Sequence, residues 1–148
     1  MWRSANRGFT LLELIVTLFI IVLTIGLVVP VIGRSSGAIR ARADVAGFSA
    51  VLRHARERAI TTRRPHAVVI DPAARKMTVF AGGPDGDVKE TRTLPDRLRV
   101  QANPPPALTV HFEPEGTSSG AEYRVTAGDV VYRVTVDPIT GRVKNVRL

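Results

Sequence analysis

One carboxylate interrupts the longest apolar stretch of this chain. From Phe9 to Ile32 the side chains are apolar or small except for Thr10, Thr17, Thr24 and Glu13. A carboxylate in such surroundings is costly to desolvate, and charges in apolar helices usually have a partner and a purpose. The chemistry open to Glu13 is that of a counter-charge; the bland alternative is a stray charge that snorkels to an interface or takes up a proton. Other reactive types are scattered. His54, His66 and His111 lack metal-ligand spacing. Ser118 and Ser119 sit among glycine and threonine with no nucleophile-elbow pattern. Asp85 and Asp87 lie in a Gly-Pro-Asp-Gly-Asp turn that offers too few oxygen ligands to hold calcium by itself. The chain has no cysteine, which excludes disulfides, thiolate metal sites and a cysteine nucleophile. These residues predict no catalytic site, no metal site and no cofactor.

The elements that must position Glu13 follow from periodicity. With 148 residues there is room for one domain with a modest core. Residues 14–32 form an uncharged run of 19 residues. At about 1.5 Å per residue this spans roughly 29 Å, near the thickness of a bilayer's hydrocarbon core. Unpaired backbone groups are not tolerated there, so the run is expected to be helical, with a kink or loosening at Pro30. Residues 34–37 read as a polar, flexible patch. A helical pattern resumes over 38–62, where Val45, Phe48, Leu52, Ala55 and Ala59 make one apolar stripe.

Beyond residue 65 the period changes. Short runs rich in valine, threonine and aromatics at 66–70, 77–80, 98–102, 108–112, 123–126, 130–136 and 143–146 read as strands. Glycine, proline, asparagine and aspartate mark the turns between them. Asp137-Pro138-Ile139-Thr140-Gly141 is expected to be a tight hairpin turn, with Gly141 taking a positive φ. The fold class is therefore α+β: a long N-terminal hydrophobic helix, amphipathic in its second half, packed on an antiparallel β-sheet domain. The expected divisions are 1–8, a short polar lead; 9–32, the apolar helix segment; 33–64, the amphipathic segment; and 65–148, the β domain.

The net charge of +8 is unevenly spread. Residues 34–64 hold eight arginines against Asp44 and Glu57, a net of +6, whereas residues 65–148 hold eleven basic and ten acidic side chains, a net of +1. Such an excess points to anionic lipid, nucleic acid or an acidic partner. The plainest reading is a solvated helix face beside a membrane.

Three readings of the N-terminus compete: a cleaved secretory signal, a retained signal anchor, and a leader cut before the apolar helix. The first two leave Glu13 unexplained. Arg7-Gly8-Phe9-Thr10-Leu11-Leu12-Glu13 resembles the class III signal of type IV prepilins. The resemblance implies a pilin fold and cleavage by prepilin peptidase, a membrane-embedded aspartyl peptidase, between Gly8 and Phe9, followed by methylation of the new amine. It places the family's glutamate on Glu13, where the carboxylate would meet the Phe9 amine of a neighbouring subunit. Pro30 matches a proline common in the family's membrane helix. Residues 1–8 would then be the leader, 9–32 the transmembrane and filament-core segment, and 65–148 a periplasmic domain. The N-terminus would lie in the cytoplasm and the single-pass helix in the bacterial inner membrane until assembly. More arginine follows the apolar run than precedes it, against the positive-inside tendency.

Phe112-Glu113-Pro114-Glu115-Gly116, the strand at 130–136 and the closing Gly141-Arg142-Val143 resemble the H-type minor pseudopilins of type II secretion and the related FimT-type minor pilins. The first resemblance implies a subunit at or near the tip of a pseudopilus. Its expected partners are the prepilin peptidase, other minor and major pseudopilins and inner-membrane lipid. The second implies a minor pilin that holds DNA for uptake, with Arg142, Lys144 and Arg147 in a phosphate-contacting patch, although Asp129 and Asp137 lie close by in sequence. A third reading, an ordinary anchor carrying a β domain, gives Glu13 no role.

Overall fold

A computed structural model describes residues 9–26 and 37–148 in full, and residues 27–36 only as part of a helix. Helix α1 is Leu11–Thr62. Eight strands follow: β1 (His66–Asp71), β2 (Lys76–Ala81), β3 (Asp87–Thr93), β4 (Leu98–Ala102), β5 (Thr109–Phe112), β6 (Ala121–Ala127), β7 (Val130–Val136) and β8 (Val143–Arg147). The chain divides into one compact unit ending at Gly37 and another from Ala38 to Leu148. The bounds of α1 enclose Pro30 and residues 34–37, so the patch read in the sequence as a flexible break is helical; the side chains of residues 27–36 lie outside the described residues.

The described part of the first unit is helix without a core of its own. From Phe9 to Ile25 its large apolar side chains are exposed on every side of the helix. A helix apolar all round requires an apolar environment or apolar neighbours. Among the described residues, no helix is long and apolar enough to cross a membrane.

In the second unit the expected stripe is the buried one. Val45, Phe48, Leu52, Ala55 and Ala59 are each no more than 3% exposed, and Ala41, Ser49 and Val51 join them. The strands form two antiparallel four-stranded sheets rather than one, ordered β3-β2-β1-β5 and β4-β6-β7-β8. The chain changes sheet after β3, returns for β5 and changes again for β6. Val68, Ile70, Met77, Val79 and Val110 from the first sheet and Val100, Tyr123, Val125, Val134 and Val136 from the second share one core with the helical stripe. Phe48 meets Tyr123 edge to face, with centroids 5.7 Å apart and ring planes at 81°.

Strand β3 went unread in the sequence because it lacks the usual signal. Its residues, Asp-Val-Lys-Glu-Thr-Arg-Thr, are almost all exposed. It is an edge strand, paired among the described residues only to β2, and bulged opposite Val79 and Phe80. Charges and a bulge are what a protected sheet edge requires, and they erase hydrophobic alternation.

Candidate functional site

The chemistry-bearing residues fall into two places, the start of α1 and the joint between α1 and the C-terminal turn. Gly8 lies outside the described residues. Phe9 precedes the helix and is 77% exposed. The Thr10 hydroxyl accepts a hydrogen bond from the Glu13 backbone N–H at 3.2 Å, and the Thr10 carbonyl accepts from Leu14 at 3.2 Å. Thr10 is thus the N-cap, and Glu13 is the acidic residue of the first turn. Thr10-Leu11-Leu12-Glu13 has the spacing of a capping box, a signal legible in the sequence but not used there. A carboxylate at this position also faces the positive end of the helix dipole. Glu13 itself is exposed, on a surface otherwise made of leucine, isoleucine and valine.

The second place is built around Arg56, which the sequence suggested was one of several solvated arginines. Its Nε donates to the Thr140 carbonyl at 2.9 Å and to the Gly116 carbonyl at 3.2 Å. One helix side chain therefore ties the Phe112-to-Gly116 segment to the Gly141-Arg142-Val143 turn. The two motifs, some 25 residues apart in sequence, meet on it. Gly116 and Gly141 have φ of 88° and 60°. A Cβ on Gly141 would run into the Gly116 carbonyl and sit 2.8 Å from the Arg56 Nε. Only glycine combines that backbone with that approach.

The turn is knit further by Asp137. Its Oδ1 accepts from the Thr140 backbone at 2.7 Å, the Thr140 hydroxyl at 2.9 Å and the Ile139 backbone at 3.0 Å. These bonds, those from Thr140 foremost, hold its carboxyl below the usual carboxylate range, and Lys144 adds to the effect. Ser118 donates from its hydroxyl to the Asp137 carbonyl at 2.9 Å, and its N–H donates to the Pro138 carbonyl at 2.9 Å. The expected hairpin turn with positive φ at Gly141 is present, but three segments hold it rather than two.

Arg142, Lys144 and Arg147 are all exposed, yet they do not share a face. Lys144 pairs with Thr135 and belongs to the outer face of its sheet. Arg147 pairs with Tyr132, on the face that carries Val134 and Val136. Asp85 lies in a solvated turn, whereas Asp87 opens strand β3, exposed and 3.5 Å from Lys89. Among the described residues, no group of three or more metal-ligating side chains converges. His66 is buried, with Nδ1 3.0 Å from the Arg64 carbonyl, and His54 accepts from Arg58 Nε at 3.0 Å.

A helix followed by antiparallel sheets of this order defines a type IV pilin-like fold. It resembles the type IV minor pilin FimU of Pseudomonas aeruginosa, with TM-score 0.60 and 13% identity over 71% of this chain and 91% of that one. It also resembles the minor pseudopilin EpsH of Vibrio cholerae, with TM-score 0.54 and 19% identity over 75% and 96% of the two chains. The model of the type II transport protein GspH family matches residues 44–141, and that of the prokaryotic N-terminal methylation motif matches residues 3–29. A relative named type II secretion system protein H, from Xanthomonas campestris pv. campestris, is 31% identical over 146 residues, covering 97% of this chain and 85% of its own. The chain belongs to the GspH family.

Proposed function

We propose that this protein is a minor pseudopilin of a type II secretion system, a structural subunit with no catalytic role. Prepilin peptidase cuts it between Gly8 and Phe9, the Phe9 amine is methylated, and the subunit enters the pseudopilus at or near its tip. Other minor and major pseudopilins are its neighbours. Before assembly, residues 9–32 hold it in the inner membrane, with the N-terminus cytoplasmic and the β domain periplasmic. The observation that carries this reading is the union, on one chain, of a GspH-type domain with a methylation-type N-terminus. Two features agree with it: the helix is apolar on all sides from Leu11 to Ile25, and Glu13 is exposed in its first turn. That apolar surface suits packing in lipid and then among the helices of a filament.

The DNA-uptake reading is the weaker one. The family match and the named relative both belong to secretion, and the three basic residues proposed as phosphate contacts are divided between two faces. Intact-mass and N-terminal analysis of protein extracted from the native membrane tests the proposal. The mature chain should begin at a methylated Phe9. A chain that keeps Met1, or one that starts beyond Ile32, would overturn it.

A further inference from the structure

We propose that the open edge of β8 is a docking site for an extended acidic segment of another protein, received by strand addition. Strand β8 is terminal in its sheet, and among the described residues only β7 pairs with it. Its register fixes which backbone groups are free. Asp137 N donates to the Arg142 carbonyl and Leu148 N to the Val131 carbonyl, each at 2.9 Å. In an antiparallel ladder such pairs recur every second residue. Lys144 and Val146 therefore bond to β7, and Val143, Asn145 and Arg147 present their N–H and C=O groups to the open side.

The other sheet edges are guarded. Strand β3 is charged and bulged. Strand β4 lies between Pro95 and the run Pro104-Pro105-Pro106, and the loop residue Ser118 bridges to Phe112 at the end of β5. Strand β8 carries two cations, Lys144 and Arg147, but no proline, no bulge and no covering loop residue: its sequence is Val-Lys-Asn-Val-Arg and its pairing shows no register shift. An edge guarded only by cations is a template for an added strand that brings the opposite charge.

The surroundings specify the occupant. Beside the start of β8 lies a groove of about 420 Å³ between it and α1, lined by Arg53, Arg56, Ile60 and Val143 among others. Ile60 is 39% exposed there. Four cations line this groove (Arg53, Arg56, Arg142 and Lys144) against one carboxylate, Glu57. On the outer face the basic surface continues, because Arg124 and Arg133 stand directly opposite each other on β6 and β7. Like charges in that position repel; Glu122 already lies 3.6 Å from the Arg133 Nε, and an anionic partner beside Arg124 would relieve the rest. Side chains of an added strand alternate between faces. One set would enter the groove against Ile60, Val143 and its arginines, and the other would meet Lys144 on the outer face of β8. The fitting segment alternates apolar and acidic residues. Free backbone donors and acceptors along an edge recognise an extended peptide; a nucleic-acid backbone cannot form that ladder.

The test uses the detergent-solubilised full chain and a short fluorescein-labelled peptide alternating glutamate with valine, followed by anisotropy. The expected result is saturable binding that weakens about tenfold or more in Lys144→Glu. The same loss is expected for the peptide N-methylated at alternate residues, which cannot form the ladder. A lysine–valine peptide should not bind. Circular dichroism checks that Lys144→Glu keeps the fold; Arg142→Glu serves in its place if it does not. The proposal is overturned if the acidic peptide fails to bind at millimolar concentration or if N-methylation leaves its affinity unchanged. It is equally overturned if charge reversal has no effect, or if labelled duplex DNA binds this edge and the peptide does not.

Discussion

At the scale of single residues, Glu13 combines two features that a careful substitution separates. It occupies the capping-box position behind Thr10, and it is a charge on an apolar helix. Glutamine retains the capping chemistry and the length but not the charge. Glu13→Gln and Glu13→Ala should both leave membrane insertion intact and both impair incorporation into the pseudopilus, read as loss of secretion in a complemented deletion strain. Normal secretion with Glu13→Gln would reduce Glu13 to a cap. Arg56 is the second decisive residue. Arg56→Ala should lower the stability of the folded unit by about 1.5–3 kcal/mol, the range for hydrogen bonds from a charged donor, measured by urea unfolding. Arg56→Lys should recover little, since an ammonium lacks the Nε that serves both carbonyls. Tyr123 behaves oppositely. Its hydroxyl is buried without a hydrogen-bond partner, and burial pushes the phenol well above its usual pKa. Tyr123→Phe should therefore leave stability unchanged or raise it by up to about 1 kcal/mol.

At the scale of elements, the packing of α1 on the sheets rests on its stripe. Phe48 lies at the centre of that contact, against Tyr123. Phe48→Ala should cost about 3–5 kcal/mol, as for other large-to-small core changes. Phe48→Asp should abolish folding, because it puts a carboxylate into a buried apolar contact. A cooperative thermal transition for Phe48→Asp would place the core face elsewhere. The C-terminal turn is an element with its own pH dependence. Asp137 has a folded pKa depressed below its unfolded value, so its contribution is fully present above about pH 4. That contribution fades as pH falls through the lower, folded value. Asp137→Asn should flatten the acid limb of the stability–pH curve and leave the slope near neutrality unchanged.

At the scale of the whole molecule, the two compact units call for different surroundings. The unit from Ala38 to Leu148 holds the entire described core. A fragment beginning at Ala38 should fold by itself and show sharp, dispersed NMR signals, while the full chain should require detergent. Aggregation of that fragment would mean that the preceding residues contribute to its core. The basic excess also takes a place at this scale. Part of it lines the groove beside β8, and part is spent within the fold, where Arg56 joins the two C-terminal motifs and Arg97 approaches Asp44 at 4.0 Å.

Much of this was legible in the order of residues. The N-terminal apolar run with its lone carboxylate, the stripe from Val45 to Ala59, seven of the eight strands and the Asp137 turn all depend on local periodicity and turn chemistry. Such signals act between residues a few positions apart, and they survive in any context. Strand β3 was hidden because an exposed edge has no hydrophobic face to reveal it. The division into two sheets was hidden because strand order is set by contacts between distant segments. Arg56 shows the limit most clearly. As one of eight arginines in a basic stretch it carries no mark of its own. Its role arises only when the β5–β6 and β7–β8 connections fold back on α1 and bring the Gly116 and Thr140 carbonyls within reach of a single Nε. The separation of Lys144 from Arg147 has the same origin: neighbours in sequence are placed on opposite faces by the pleat, and which face meets the helix is settled by pairing to β7.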